Sequence, residues 1–173
     1  MGFRFPPAWA LVLTGLVLNV LALLMSSIVL DKLSGQIGQL SEQKDENIYS
    51  IQLAWNSVEM LERKREMLLL HIAQDGEVQQ ELQQALQGQL SHWVNRSIPE
   101  ITIGNLPKLM MLINQTQQSY RNQIDDFYLE NLSISELMTT LHERIAWYKN
   151  IGLFLQVFGL ALILARDLAR MPN

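Results

Sequence analysis

The chain has 173 residues, about the length of one domain, and a formal net charge of −4. The charge disfavours a nucleic-acid partner, since phosphate binding requires clustered cations. The sequence contains no cysteine, which excludes disulfides and thiolate metal sites.

Two apolar runs, at residues 8–30 and 151–165, lie near the two ends of the chain. A helix that crosses the hydrocarbon core of a bilayer needs roughly 20 mostly apolar residues. The first run meets this length, and residues 145–148 extend the second, with Trp147 and Tyr148 suited to a membrane interface. We predict transmembrane helices at 8–30 and 149–168, with short tails at 1–7 and 169–173.

Small and polar residues interrupt both runs. The small residues recur at a spacing of seven, which favours close packing of membrane helices. One amide side chain lies at a similar depth in each run, and we expect these amides to hydrogen-bond to each other or to a partner's helix. The candidate packing and polar-contact residues are Gly15, Asn19, Ala22, Gly152, Gln156 and Gly159.

Basic residues favour the cytoplasmic side of a membrane. Arg4, Arg166 and Arg170 lie just beyond the outer ends of the two apolar runs, whereas the segment between the runs is mildly acidic. We therefore expect an integral protein of the bacterial inner membrane. Both termini would be cytoplasmic, and the central segment would lie in the periplasm.

After the first run, apolar residues recur at alternating steps of three and four from 37 to 72, which is typical of a coiled-coil seam. Lys44, Asn47 and Arg65 interrupt it. In a coiled coil such residues set the register, and exposure on an ordinary helix is the alternative for Lys44 and Asn47. The apolar seam residues are Ile37, Leu40, Ile51, Val58, Leu61, Leu68 and Ile72.

Four helices are predicted in the central segment, at about 31–74, 77–95, 107–130 and 134–148. Asp75-Gly76 would end the first, and Pro107 would begin the third after an ordered loop. Ser133 and Glu136 have the spacing of a capping box, which predicts the start of the fourth.

The predicted fold is an all-α membrane protein. Its two transmembrane helices flank an extracytoplasmic helical hairpin, a coiled-coil-like stalk. A compact helical bundle is the alternative, and it requires a break in the first helix near Gly35 and Gly38.

Candidate chemical groups are sparse. His71, His92 and His142 are dispersed, and none has neighbours at the spacing of a metal site. No phosphate-binding loop or nucleophile–base arrangement is visible. We therefore expect no enzymatic activity, no cofactor and no metal.

The layout resembles the extracytoplasmic helical sensor module of chemoreceptors, in which one membrane helix lies on each side of a helical domain. The resemblance is architectural and carries no shared motif. Because the tails are short, we expect no cytoplasmic output domain. The favoured function is a scaffold or accessory subunit that contacts the lipid bilayer and other membrane subunits, or itself. The alternative is a ligand-sensing module that signals through a separate partner.

Overall fold

The computed structural model describes residues 7–73 and 80–168, and all regular secondary structure within these ranges is helical. The predicted all-α class, with two long apolar helices, is therefore confirmed. The elements are α1 (Ala8–Leu24), a π turn (Met25–Val29), α2 (Leu30–Ala73), α3 (Gln80–Val94), a 3-10 turn (Ile103–Asn105) and α4 (Leu106–Leu168).

The chain divides into two compact units. The apolar unit consists of Met1–Gln43 and Ser133–Asn173, and it contains α1 and the C-terminal part of α4. The polar unit consists of Lys44–Leu132, and it contains α3 and the central loop.

Helix α2 runs unbroken through Gly35 and Gly38, so the break required by a compact bundle is absent. A methyl group added at either glycine would meet no atom within 4 Å. No close contact therefore requires glycine at these two positions, and α2 forms despite a loss of helix stability of about 1 kcal/mol for each glycine.

Helix α4 joins the predicted third and fourth helices into one element of 63 residues. It begins at Leu106, with Pro107 in its first turn as expected. The predicted capping box is wrong, because Ser133 and Glu136 lie in the interior of α4. The physical reason is that no glycine or proline occurs between Pro107 and Gly152, so nothing interrupts the backbone hydrogen bonds.

Helix α3 ends in a Schellman motif centred on Asn95, whose φ of 51° places it in the left-handed region. The Asn95 amide donates to the His92 carbonyl, and the Arg96 amide donates to the Ser91 carbonyl, both at 3.3 Å. Asparagine tolerates this conformation better than other non-glycine residues. The predicted cap at Asp75-Gly76 lies outside the described residues.

The core of the polar unit combines α2, α3, the loop and the start of α4. The loop contributes Ile98 and Ile101, which are buried, whereas Ile103 is exposed. The buried core residues are Leu61, Leu68, Leu86, Leu90, Val94, Ile98, Ile101, Leu109 and Ile113.

The π turn marks a shift of one residue in the spacing of packed positions. If the seven-residue spacing of the α2 seam continued back from Ile37 into α1, Leu23 and Leu16 would be packed. These side chains are instead 60% and 55% exposed. The packed residues of α1 are one position earlier, at Gly15 and Ala22. A π turn accommodates one extra residue, so α1 and α2 each keep their own packed face.

Deletion of Ser27 in the π turn should therefore be tolerated, because it converts the turn to regular α-helix without rotating either packed face. Deletion of the exposed Asn56 in α2 should lower the melting temperature strongly, because it rotates the seam residues on one side of it by about 100°. Thermal unfolding in mild detergent compares the two deletions. Equal losses of stability would contradict this role of the π turn.

Candidate functional site

The apolar unit has a packed face on which α1 and the C-terminal part of α4 run antiparallel. A Cβ atom added to Gly15 would lie 2.5 Å from the carbonyl oxygen of Gly159 and 2.8 Å from Cγ1 of Ile163. A Cβ atom added to Gly159 would lie 2.8 Å from the carbonyl oxygen of Gly15. The two backbones therefore approach so closely that only glycine fits at this crossing.

Ala22 and Gly152 lie on the same packed face, about two helical turns from the Gly15–Gly159 crossing. Ala22 is fully buried, and a Cβ atom added to Gly152 would lie 3.6 Å from the hydroxyl of Ser26. That is an ordinary contact distance. The structure thus brings together all four small residues singled out by their spacing, but a strict need for glycine exists only at Gly15 and Gly159.

Asn19 and Gln156 do not form the direct hydrogen bond that was one of the two predicted outcomes. Asn19 donates from Nδ2 to the carbonyl oxygen of Gly15 at 2.8 Å, one turn earlier in its own helix. The side chain lies against Gly159, where an added Cβ would be 2.5 Å from Nδ2. Gln156, three residues before Gly159, is half-buried. The Asn19 side chain therefore makes its hydrogen bond within its own helix, as a polar side chain in apolar surroundings can do without a partner helix.

The outer faces of the same two helices are apolar and exposed. The helical stretches that contain them, Trp9–Leu70 and Ile103–Arg166, are long and apolar enough to cross a membrane by length and composition, and 11% of each apolar window is buried. A helix that is apolar on all sides requires a covering of lipid or protein. The exposed side chains include Leu13, Leu16, Val17, Val20, Leu153, Phe154, Val157 and Phe158.

Trp147 lies near the start of the apolar run in α4 and is 60% exposed. Its ring makes an edge contact with Tyr148, with 5.1 Å between the centroids. Exposed aromatic residues at the end of an apolar run are typical of membrane interfaces.

The polar unit contains a buried amide pair in its seam. Asn47 of α2 donates from Nδ2 to Oδ1 of Asn131 in α4 at 3.1 Å, and the two side chains are only 7% and 9% exposed. Asn131 also donates to the carbonyl oxygen of Lys44 at 3.5 Å. Asn47 is therefore a buried seam residue, and the alternative of an exposed position is wrong for it.

A second buried amide, Gln117 of α4, contacts α2 at another level. Its Nε2 donates to the carbonyl oxygen of Val58 at 3.3 Å and to Oε2 of Glu62 at 3.0 Å. Glu62 in turn pairs with Arg65 on the same helix. The seam is thus crossed by polar contacts at two levels, which fixes the register of α2 against α4 within this unit.

Gln117 and Asn131 were not predicted from the sequence as seam residues. A signal existed, because Gln117, Ile124 and Asn131 are spaced by seven residues along α4. All three are buried. The seven apolar seam residues of α2 predicted from spacing are likewise buried or half-buried in the structure.

Helix α3 is rich in glutamine, and two of its glutamines hydrogen-bond to the loop that follows it. Gln83 and Gln87 donate to the carbonyl oxygens of Ile101 and Ile98, both at 3.4 Å. Gln89 accepts a hydrogen bond from Lys64 of α2 at 2.6 Å.

A cleft of about 260 Å³ lies between the end of α3 and the first half of α4. Trp93, Arg96, Gln115, Ser119 and Tyr120 are among its lining residues, and the lining contains no carboxylate. Among the described residues, no group of three His, Asp or Glu side chains is placed to hold a metal ion.

No protein-family model, curated protein or solved structure matches this chain.

Substitution of Gly15 by alanine should separate α1 from α4, because the new methyl group would overlap the Gly159 carbonyl. We expect a loss of about 1–3 kcal/mol in stability, the usual cost of overpacking. The matched control is Gly35→Ala, which fills open space in α2 and should raise stability by about 0.5–1 kcal/mol. Thermal unfolding in detergent measures both, and a stabilising effect of Gly15→Ala would refute the close approach.

Proposed function

We propose that this chain is a non-enzymatic accessory or scaffold subunit of a larger integral membrane complex. In this proposal α1 and the C-terminal part of α4 cross the bilayer, and partner subunits bind the membrane helices and the polar unit. The observation that carries the proposal is the large exposed apolar surface of these two helices. They cover each other along one narrow face and leave the remaining apolar surface exposed.

The proposed location is the bacterial inner membrane, with both termini in the cytoplasm and the polar unit in the periplasm. The support is the distribution of basic residues, because Arg4, Arg166 and Arg170 lie just beyond the outer ends of the two apolar runs. Trp147 and Tyr148 would then lie at the periplasmic interface.

Gln156 is the polar group that best suits a partner's membrane helix. It is half-buried, lies within the apolar run of α4, and makes no hydrogen bond within the described residues. A membrane-embedded amide without an internal partner gains about 0.6–2 kcal/mol from a bond to a neighbouring helix. Contacts of this kind would add selectivity to an otherwise apolar surface.

Affinity capture of the tagged chain from native membranes in mild detergent tests the proposal. We expect other integral membrane proteins to be captured in a fixed ratio to the chain. Gln156→Leu should reduce that ratio, while Leu160→Ala, a change at a lipid-suited exposed position, should leave it unchanged. Recovery of the chain alone as a monomer would refute the scaffold function.

A further inference from the structure

A second apolar stripe, distinct from the buried seam, runs along α2. Its positions are 49, 53, 56, 60, 63, 67 and 70, which alternate in steps of four and three. Each lies two residues after a seam position, which is about 200° around the helix, so the stripe is on the opposite face. Five of the seven positions are apolar: Tyr49, Leu53, Met60, Met67 and Leu70.

The polar unit leaves this stripe uncovered. All five apolar side chains are exposed, by between 40% for Met60 and 65% for Leu70. Scattered exposed apolar residues are ordinary, but a run at the coiled-coil spacing is the pattern by which one helix binds another. The stripe covers about 32 Å of helix at 1.5 Å per residue.

The two edges of the stripe carry opposite charges. Glu59 and Glu66 follow one edge, and Lys64 lies on the other. In a parallel coiled coil, a residue on the first edge faces the residue five positions later on the partner helix, so Glu59 would face Lys64. In an antiparallel pair, each edge would face the same edge of the partner helix, so glutamates would face glutamates. The charges therefore favour a parallel, in-register partner with the same sequence.

We propose that α2 pairs with α2 of a second copy of this chain through the stripe, parallel and in register. The inference rests on the proposed membrane location, because copies inserted in one membrane share an orientation and have parallel α2 helices. Anchoring also raises the effective concentration of the two stripes, so a modest contact is sufficient. The stripe has two polar positions, Asn56 and Arg63. Asn56 would face Asn56 of the second copy and set the register, while the ion pair of Arg63 with Glu59 at 3.8 Å offsets the charge of Arg63.

Disulfide crosslinking in native membranes tests the pairing without background, because the natural chain has no cysteine. The variants are Leu53→Cys on the stripe and Trp55→Cys off it, two positions that are each 49% exposed in the same helix. We expect Leu53→Cys to give a covalent dimer upon mild oxidation, and Trp55→Cys to give several-fold less. Equal yields from the two variants, or no dimer from Leu53→Cys, would overturn the proposal.

Charge reversal tests the parallel register, with Met60→Cys as the crosslinking reporter. Glu59→Lys and Lys64→Glu should each lower the initial crosslinking rate about tenfold, since two pairs per dimer change from attraction to repulsion. The double variant should recover most of the rate. Gln89→Ala controls for the bond that Lys64 makes within the protomer. Single reversals without effect, or a double variant as slow as the singles, would refute the register.

The two proposals fail separately. Absence of crosslinking while partner proteins are still captured would refute self-pairing and leave the scaffold function in place. Crosslinking of a chain that captures no other protein would support self-pairing and refute the larger complex.

Discussion

A seven-residue spacing of packed side chains is the constraint on which each unit of this protein depends. In the polar unit it aligns α2 with α4 through apolar layers and two buried amide contacts, Asn47 with Asn131 and Gln117 with the Val58 carbonyl. In the apolar unit it aligns Gly15 with Gly159 at a distance that allows no side chain. Buried amides are costly when unpaired, so each restricts the helices to one register.

The sequence predicted those features that depend on local periodicity. The seam residues from Ile37 to Ile72 and the packed small residues of the two apolar runs were predicted, because residue spacing along one helix determines its packed face. The start of α4 at Leu106 followed from Pro107 and the preceding loop. These signals need no knowledge of the rest of the chain.

The features that were missed depend on distant partners or on competition between signals. The Asn47–Asn131 pair joins residues 84 positions apart, so spacing alone identified one amide and not the other. The capping box at Ser133 is a strong local signal, but a helix stops there only if something disfavours its continuation. The π turn was not predicted, although a signal existed, because Gly15 and Ala22 lie one residue out of the seven-residue steps that run back from Ile37.

The exposed surfaces are the reason for the proposal that this chain acts by contact with other helices. The apolar helices are covered on one narrow face, and α2 carries a second stripe opposite its seam. The seam and the glycine crossing hold the protomer together. In the proposed function, the outer apolar surfaces and Gln156 would bind lipid and partner subunits, and the stripe on α2 would bind a second copy.

Helices α2 and α4 pack in the register that places Asn47 against Asn131, and the contact of Gln117 with the Val58 carbonyl holds the same register separately. This packing is the basis of the polar unit. It is tested most directly by an intramolecular disulfide in native membranes. Asn47→Cys combined with Asn131→Cys should form this bond rapidly under mild oxidation, because the two side chains are in contact. Asn47→Cys combined with Ile124→Cys, two helical turns away, should not. Preferential bonding of the second pair would contradict the account.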